Sequence, residues 1–337
     1  MTVENHEIYD VTIIGGGPTG LYAAFYSRMR GLKTKLIESQ SELGGQVSSF
    51  YPEKAIYDIG ALPKVTGEDL VKQLIAQASQ EKPEIVMNQC VESVERQDDG
   101  TFVVTTEKGA VHYSRTIIIT AGRGTIQMVP PQVDQLERFH DKSLHYTINH
   151  MDKFSGKNVM VYSNQRVGLD WALALEQIAD EVYIVNENPK FLHVSEEDIA
   201  DLKASHVKVL LSHQVSEFSG NADGVLKAVS LTNRINQEKV EIPVDHVLVY
   251  NGVKLIAAPL EKWGVTLEKN KIPVDGTMKT NVDGLFAAGD SVQYPGKTNL
   301  VASGFTEAIS AVNSATLYLN EKAPAQVFST VLYRAHD

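Results

Sequence analysis

The apolar and polar positions near the start of the chain follow the pattern of a βαβ unit. A short β-rich apolar run, DVTII (10–14), is followed by a glycine cluster and a helix-like stretch over about 18–30. A second apolar run, TKLIE (34–38), comes next. Strand-length apolar runs on both sides of a helical pattern predict two parallel strands joined by a crossover helix.

The same pattern recurs near the middle of the chain. NVMVY (158–162) and EVYIV (181–185) read as strands, and the stretch 169–179 between them reads as a helix. Two further apolar runs, TIIITAG (116–122) and HVLVYNG (246–252), each end in glycine and bracket this middle third. We interpret these two runs as the places where the chain crosses between domains.

These patterns predict an α/β fold with two dinucleotide-binding, Rossmann-like domains of three layers each. A chain of 337 residues is longer than one hydrophobic core usually serves, which also favours two domains. The first domain is expected to be discontinuous, with residues 1–122 and 252–337. The second domain, residues 123–251, is inserted between these two pieces.

Composition narrows the class of protein. Apolar residues make up 43% of the chain and charged residues 22%, which is ordinary for a globular protein and excludes a disordered or fibrous one. No apolar run approaches the roughly 18 residues of a membrane-spanning helix, and the first ten residues lack a signal-peptide pattern. We therefore expect a cytoplasmic protein that does not bind membranes. The net charge of −11 argues against non-specific binding of nucleic acid.

The chain has a single cysteine, Cys90. One cysteine excludes an intramolecular disulfide, a Cys-x-x-Cys redox pair and a thiolate-rich metal site. We expect Cys90 to be a small core residue, and we expect no metal.

The glycine cluster GGGPTG (15–20) has the Gly-x-Gly-x-x-Gly spacing directly after a predicted strand and before a predicted helix. Gly15 would allow the tight turn, Gly17 would let a pyrophosphate approach the backbone, and Gly20 would let the helix lie close to the strand. Glu38 ends the second strand about twenty residues on, where an acid accepts hydrogen bonds from a ribose diol. These placements together predict a dinucleotide site, although they do not separate FAD from NAD.

A segment in the last third favours FAD. AAGD (287–290) ends a predicted buried strand, and a helix is predicted over about 303–319 with Ser303 as its N-cap. In flavoproteins with two dinucleotide-binding domains, such an aspartate contacts the ribityl and phosphate region and the helix N-terminus points at the flavin pyrimidine. A positive helix end there stabilises negative charge on the reduced ring.

The chain resembles the bacterial ferredoxin–NADP reductases of the thioredoxin-reductase-like type over nearly its whole length. YPEKAIYDIGALPK (51–64) is the most specific of the matching segments, because the physics of a glycine loop does not require it. The other segments are IIGGGPTGL (13–21), IES with LGGQ (37–46), ITAGRG (119–124), LDWALALE (169–176), and LFAAGD with LVASGFTEA (285–308).

The resemblance implies roles for individual residues around FAD. Glu38 would contact the adenosine ribose, Val91 the adenine, Asp290 the ribityl chain, and Gln46 and Tyr51 the flavin, with Tyr51 stacked on the ring. In this family a histidine covers the other flavin face, and Phe328 stands at that position here, with Thr330 near the flavin edge. The expected FAD-binding set is Gly15, Gly17, Pro18, Thr19, Gly20, Glu38, Gln46, Tyr51, Val91, Ala121, Gly122, Ile126, Asp290, Phe328 and Thr330. No side chain is assigned a covalent catalytic role.

The second βαβ unit departs from the family pattern where NADPH should bind. Ser163 and Gln165 replace the first two fingerprint glycines, and only Gly168 remains, at the position that serves helix–strand packing. Glu187 stands where the family has basic residues for the 2′-phosphate, so it would repel that group. NADH is then easier to accommodate than NADPH, although Arg166 could restore some phosphate affinity. The sequence leaves open whether either nucleotide binds.

The leading hypothesis is an FAD-dependent oxidoreductase that passes electrons between NAD(P)H and a ferredoxin or flavodoxin-like carrier, because flavin exchanges electrons singly or in pairs. One alternative is a flavin oxidoreductase that is independent of pyridine nucleotide and is reduced by ferredoxin or another redox protein. Another is a non-catalytic flavin-binding regulator. The resemblance also implies a homodimer.

A basic cluster near the first helix offers a docking hypothesis. Arg28, Arg30, Lys33 and Lys35 lie close in sequence and would suit an acidic ferredoxin, although such clusters are more often solvated helix ends.

Overall fold

A computed structural model describes residues 7–50, 52–80, 82–140, 142–148, 151–192 and 194–332. The strands are β1 (Ile8–Ile14), β2 (Thr34–Ile37), β3 (Ala55–Ile56), β4 (Val65–Thr66), β5 (Glu84–Val86), β6 (Val91–Arg96), β7 (Phe102–Thr106), β8 (Val111–Ile119), β9 (Thr125–Met128), β10 (Leu144–His145), β11 (Asn158–Ser163), β12 (Glu181–Asn186), β13 (Lys208–Leu211), β14 (His213–Gly220), β15 (Leu226–Asn233), β16 (Lys239–Pro243), β17 (His246–Tyr250), β18 (Val253–Ile256), β19 (Ile272–Pro273), β20 (Leu285–Ala287) and β21 (Val292–Gln293). The α-helices are α1 (Pro18–Met29), α2 (Gly45–Phe50), α3 (Gly67–Gln80), α4 (Arg166–Leu175), α5 (Glu196–Ala204), α6 (Val301–Leu319) and α7 (Ser329–Leu332). Short 3₁₀ turns occupy Leu136–Phe139, Met151–Phe154, Leu260–Trp263 and Gly289–Ser291.

The chain divides into two compact units. Unit 1 combines Met1–Ile126 with Leu255–Asp337, and unit 2 is the inserted segment Gln127–Lys254. The chain passes between the units within β9 and β18. Each unit is built on a parallel sheet with helices, so the predicted α/β fold with two Rossmann-like domains is confirmed.

The sheet of unit 1 has the order β5-β2-β1-β8-β7-β6, with β20 also paired to β8. The pairs among β5, β2, β1, β8 and β20 are parallel, whereas β7 and β6 continue the sheet in the antiparallel sense. Ile13, Leu36 and Ile118 are fully buried in these strands. Strands covered on both faces need such unbroken apolar runs, which explains the sequence pattern.

The helices of unit 1 pack closely because their contact faces are small. Ala23 and Ala24 of α1 share a buried core with Ala308, Ala311 and Ala315 of α6. With side chains this short, the two helices approach each other and the sheet. Both helices begin beside the cavity described below, since Pro18 of α1 and Val301 of α6 line it.

Unit 2 has a five-stranded parallel sheet and a separate antiparallel one. The parallel sheet has the order β10-β17-β11-β12-β13, and β14-β15-β16 form the antiparallel sheet. Apolar residues of both sheets, including Tyr162, Phe218 and Val249, make one core. The sequence patterns did not predict this antiparallel sheet, because the βαβ signals of the middle third lie outside the segment 213–243 that forms it.

Two predicted helix boundaries were wrong by a few residues. The helix predicted over 169–179 is α4, which begins at Arg166 after the extended residue Gln165 and ends at Leu175. The helix predicted from Ser303 is α6, whose N-cap is Leu300, so that Ser303 lies inside the first turn. The extended backbone of Leu300, and not a capping hydroxyl, sets the start of α6. Among the helices of the described residues, none is long and apolar enough to span a membrane.

Candidate functional site

A cavity of about 850 Å³ opens in unit 1 at the carboxyl ends of the parallel strands. Its wall includes Ile14 at the end of β1, Ile37 at the end of β2 and Ala121 just after β8. In open α/β sheets, ligands bind in the crevice outside these strand ends. The volume lies in the upper part of the usual range for ligand and cofactor sites, roughly 300–1,000 Å³.

The glycine loop at the end of β1 forms a backbone surface facing this cavity. Gly15 has a φ of +109°, and a Cβ there would lie 2.6 Å from the carbonyl oxygen of Thr120. Around a Cβ built on Gly17, the nearest described atom is Gly45 Cα at 4.0 Å, so the backbone there is open. A Cβ on Gly20 would lie 1.9 Å from the Gly15 carbonyl oxygen. Gly15 and Gly20 are therefore required by close approaches within the protein, whereas Gly17 leaves the backbone open.

The N-terminus of α1 lies beside this loop. Its N-cap is Gly17, and within the described part of the chain neither a side-chain cap nor a first-turn acid accompanies it. Pro18 and Thr19 of the first turn line the cavity. The free N–H groups and the positive end of the helix make this a site for an anion.

Glu38 is held in place by backbone donors. The side chain is 5% exposed, and Oε2 accepts a hydrogen bond from the Gly16 N–H at 2.6 Å. Oε1 accepts from the Gln40 N–H at 2.8 Å and from the Ser39 hydroxyl at 3.0 Å. Glu38 also lines the cavity. A carboxylate offers about four acceptor positions and three are used here, so Glu38 can accept one more hydrogen bond, from a hydroxyl in the cavity.

The other end of the cavity lies near the turn after β20. Asp290 lines it together with Gln46 of α2 and Gly122, and a Cβ on Gly122 would lie 3.6 Å from Gln46 Nε2. Lys271 Nζ donates to the backbone carbonyl of Asp290. Burial lowers the pKa of Lys271, and the neighbouring Asp290 acts in the opposite direction. A basic and an acidic group thus flank this end of the cavity.

A second helix N-terminus opens at the same end. Leu300 and Val301 at the start of α6 line the cavity. In the described residues α6, like α1, begins without a side-chain cap and without an acid in its first turn. Thr19 packs between α6 and the Gly289 turn, since its Oγ1 lies 2.3 Å from a Cβ built on Gly304 and 3.0 Å from one built on Gly289. The two helix ends and the turn form one packed assembly.

The corresponding loop in unit 2 is built differently. A Cβ on Gly168 would lie 2.2 Å from Ser163 Cβ, so this glycine serves packing of α4 on β11. The Ser163 hydroxyl donates to the Tyr250 carbonyl at 2.7 Å and accepts from the Gln165 N–H at 3.1 Å. The serine thus replaces open backbone with side-chain hydrogen bonds.

Glu187, just after β12, is part of a polar cluster in unit 2. Its Oε1 accepts from the Tyr162 hydroxyl and, at 3.4 Å, from Asn251 Nδ2, and its Oε2 lies 3.7 Å from Arg234 Nη1. Burial and the bond to Glu187 raise the pKa of Tyr162 well above its usual range. Arg166, which the sequence suggested as a partner for a phosphate, instead places its Nη2 3.2 Å from Asp198 Oδ1. Sequence reasoning did not identify Arg234, because it comes from a distant hairpin.

Residues 9–315 match the family model described as pyridine nucleotide-disulphide oxidoreductase. The chain is also similar to a ferredoxin–NADP reductase 2 of Shouchella clausii, with 43% identity over 96% of this chain and 97% of that one. A ferredoxin–NADP reductase 2 of Bacillus subtilis is 41% identical over 98% of each chain. The chain belongs to the ferredoxin–NADP reductase family. The predicted family and the predicted class of enzyme, an oxidoreductase, are therefore confirmed.

The solved structures place this ferredoxin–NADP reductase family member in a known fold. A thioredoxin reductase of Lactococcus lactis superposes with a TM-score of 0.63 at 22% identity, covering 93% of this chain and 99% of that one. The thioredoxin reductase of T. acidophilum gives a TM-score of 0.62 at 23% identity, over 93% and 99% of the two chains. At this identity the likeness concerns the fold alone.

Most of the residues expected at FAD line the cavity of unit 1. Those that line it are Gly15, Gly17, Pro18, Thr19, Glu38, Gln46, Val91, Ala121, Gly122 and Asp290. Gly20 instead faces the Gly15 carbonyl, and Phe328 is 60% exposed and lies outside the cavity lining of the described residues. Tyr51 lies outside the described residues, as do the side chains of Ile126 and Thr330. The roles of all these residues at FAD stay predictions.

The cavity also has residues that sequence reasoning missed. Cys90, which we expected in the core, is only partly buried and lines the cavity, and burial raises the pKa of its thiol. Lys262 and Trp263 come from a 3₁₀ turn far along the chain. Lys54 and Asp58 also line it. Both belong to the segment 51–64, which carries the most specific resemblance, so that segment could have indicated them as cavity residues. In the described ranges, no group of three or more His, Cys, Asp or Glu side chains could hold a metal ion.

The basic cluster near α1 is not a free surface patch. The Lys35 side chain is 8% exposed, and its Nζ lies 3.1 Å from Glu84 Oε1. Lys33 Nζ lies 2.8 Å from Glu7 Oε1, and Arg30 Nη2 donates to the Pro324 carbonyl. Lys33 and Lys35 also lie at the amino end of β2, whereas the cavity lies at its carboxyl end. These contacts do not support a docking role for the cluster.

Proposed function

We propose that the protein is an FAD-dependent oxidoreductase that passes electrons between a reduced pyridine nucleotide and a one-electron carrier such as ferredoxin or flavodoxin. The observation that carries this proposal is the open backbone at Gly17 beside the uncapped N-terminus of α1, at the edge of a cavity of about 850 Å³. This surface suits a pyrophosphate, because a side chain at Gly17 would occupy the approach. The residues present therefore fit FAD.

Named residues would bind successive parts of the cofactor. The α1 N-terminus would bind the pyrophosphate, Glu38 the adenosine ribose, and Asp290 the ribityl chain. The N-terminus of α6, at Val301, would face the pyrimidine edge and stabilise negative charge there. When bound, FAD supplies the exchange of electrons in pairs with a nicotinamide and singly with a carrier.

We propose that unit 2 binds the pyridine nucleotide and prefers NADH to NADPH. The Glu187 carboxylate can accept a hydrogen bond from a ribose 2′-hydroxyl, whereas a 2′-phosphate beside it would be repelled. Ser163 and Gln165 restrict the approach to the backbone, so the affinity is expected to be low. The relatives from S. clausii and B. subtilis are named NADP reductases, so this preference distinguishes the chain from them.

The same restricted loop favours a second candidate function. Since Ser163 uses its hydroxyl within the loop and Glu187 is paired with Tyr162 and Arg234, unit 2 could have lost nucleotide binding. The flavin would then be reduced by ferredoxin or another redox protein. A homodimer, which the resemblance implies, and a cytoplasmic location, which the lack of a long apolar run favours, are further parts of the proposal.

An absorbance experiment separates these functions. The purified protein is saturated with FAD, and anaerobic bleaching is followed with NADH, with NADPH and with reduced ferredoxin. Faster bleaching by NADH supports the proposal, and bleaching by ferredoxin alone supports the second candidate. FAD uptake without turnover with any acceptor would indicate a flavin-binding regulator. A colourless protein that takes up no FAD would contradict the proposed function itself.

A further inference from the structure

A buried ion pair lies behind the turn that contains Asp290. Glu307 of α6 and Lys297 of the preceding loop have side chains that are each 3% exposed, and Lys297 Nζ lies 2.7 Å from Glu307 Oε1. Charged side chains are almost never this buried unless they are paired, and the desolvation of such a pair often cancels its attraction. The ion pair is therefore not expected to add to the stability of the fold.

The Glu307 carboxylate joins three separate segments. Oε2 accepts a hydrogen bond from the Gly289 N–H at 2.7 Å. Oε1 accepts from Lys297 Nζ and from the Tyr294 hydroxyl, each at 2.7 Å. Burial and the bond to Glu307 raise the pKa of Tyr294 to about 12, so the hydroxyl remains a donor at neutral pH. One side chain thus fixes the turn, the loop and the helix relative to one another.

These segments are the ones that form the flavin end of the cavity. Gly289 and Asp290 line the cavity, and so does the start of α6. Gly289 has a φ of +86° and lies against Thr19, so the turn has little room to shift while Glu307 holds its N–H. On the other side, Lys271 binds the Asp290 carbonyl. A change at Glu307 would therefore be transmitted to Asp290.

The charges of the pair also act on the cavity. Together Glu307 and Lys297 are neutral, but either one alone would leave an uncompensated buried charge behind the turn that contains Asp290. In a low-dielectric interior, such a charge acts strongly on a nearby redox centre. Reduction adds negative charge to a flavin, so a nearby positive charge favours the reduced form.

We propose that Glu307 and Lys297 are positioning residues that fix the Asp290 turn for FAD, and that each neutralises the other so that neither buried charge shifts the midpoint potential of the flavin. The proposal rests on the proposed FAD site of unit 1. It concerns residues that contact the turn and the helix, not the cofactor.

The test uses the full-length protein loaded with FAD and the variants E307Q, K297M and E307Q/K297M. We expect E307Q to shift the midpoint potential to more positive values and K297M to shift it to more negative values. The double variant should lie between them, close to the unmodified protein. Each single variant should also bind FAD about tenfold more weakly, because the Asp290 turn is no longer held in place and must be ordered when the cofactor binds. Dye-linked potentiometry and fluorescence titration measure these quantities.

Controls separate this effect from a general change of charge or folding. E321Q and K322M make the same changes of charge at exposed positions just after α6 and should leave both quantities unchanged. E307D retains the charge but shortens the reach to Gly289. We expect it to weaken FAD binding with a smaller shift of potential than E307Q. E307D also keeps the inference testable if E307Q and K297M fail to fold.

Two outcomes contradict the inference while leaving the FAD site intact. One is a shift of potential in the same direction for E307Q and K297M, which would indicate a merely structural role. The other is E307D binding FAD as tightly as the unmodified protein. If the unmodified protein itself takes up no FAD, the proposed function fails instead.

Discussion

At the scale of single residues, the Glu38 carboxylate is held in one position by hydrogen bonds from its own chain. Its two oxygens accept three hydrogen bonds from Gly16, Ser39 and Gln40 before any ligand is present. Fixing the carboxylate in advance reduces the entropy lost when a ribose binds. The position of Glu38 was readable from the sequence, but this network was not, because its donors are mainly backbone groups whose directions depend on the fold.

We expect E38Q to bind FAD at least tenfold more weakly than the unmodified protein. A glutamine presents an NH₂ group to one of the backbone donors now satisfied by the carboxylate, and it removes the charge-assisted acceptor for the ribose. Fluorescence titration of FAD into the cofactor-free protein measures the loss. E95Q changes an exposed acid of β6 in the same unit and provides the control. Equal FAD affinity in E38Q and E95Q would contradict the assignment of Glu38.

A second prediction concerns two histidines in unit 2. His145 Nε2 and His246 Nδ1 lie 3.2 Å apart, and both rings pack edge-on against Phe154. Burial, Lys153 and His246 lower the pKa of His145 to about 3. Burial and Lys153 also lower the pKa of His246, and the nearby Asp245 partly opposes this shift.

The two imidazole rings therefore take up a proton less readily in the folded state than in the unfolded state. The stability due to neutral His145 is complete above an unfolded pKa of about 6.5 and is lost as the pH falls from there towards about 3. We expect the melting temperature to fall between pH 7 and pH 5, and to fall less in H145Q. Thermal unfolding followed by circular dichroism at both pH values measures this. The same pH dependence in H145Q would show that other groups cause it.

At the scale of elements, local apolar runs predicted the parallel strands β1, β2, β8, β11, β12, β17 and β20, because each run is contiguous in the sequence. Strand runs such as 10–14 and 158–162 correspond to β1 and β11, which differ from them only at their ends. The start of α6 was missed because its N-cap, Leu300, has no capping side chain. The Glu307–Lys297 pair could not be predicted, since helical spacing does not reveal which loop folds against a helix.

Gly20 tests the packing of α1 on β1. A Cβ at this position would lie 1.9 Å from the Gly15 carbonyl oxygen, which is backbone and cannot rotate away. We expect G20A to displace the start of α1, lower the melting temperature by several degrees and abolish detectable FAD binding. G276A is the matched control, because a Cβ there meets no described atom within 4 Å and its φ is not positive. A G20A protein that melts and binds FAD like G276A would show that α1 does not lie this close to the Gly15 carbonyl.

At the scale of the whole molecule, the two units differ in the loop that joins the first strand of each βαβ unit to its helix. Both units have a strand, a loop and a helix with a glycine at the packing position, Gly20 or Gly168. Only unit 1 keeps the open glycine at the helix N-cap, where unit 2 has Gln165. Gly20 and Gly168 are required for helix packing and Gly15 for the turn, whereas Gly17 makes no close contact with a described residue and is the glycine that we expect to serve a ligand. The sequence could therefore predict both domains while leaving the nucleotide of unit 2 open.

The choice of nucleotide can be tested through electron transfer to FAD. Glu187 lies 3.7 Å from Arg234, so removing the carboxylate would release a guanidinium to meet a 2′-phosphate. We expect E187S to increase the rate of FAD reduction by NADPH relative to NADH by about tenfold or more, since a like charge is removed and a charge-assisted contact becomes available. Stopped-flow absorbance with each nucleotide measures the ratio. E217S removes an exposed acid of β14 in the same unit and should leave the ratio unchanged. If E187S and E187S/R234S show the same ratio as E217S, then neither Glu187 nor Arg234 lies at the 2′ position and nucleotide selection must be sought elsewhere in unit 2.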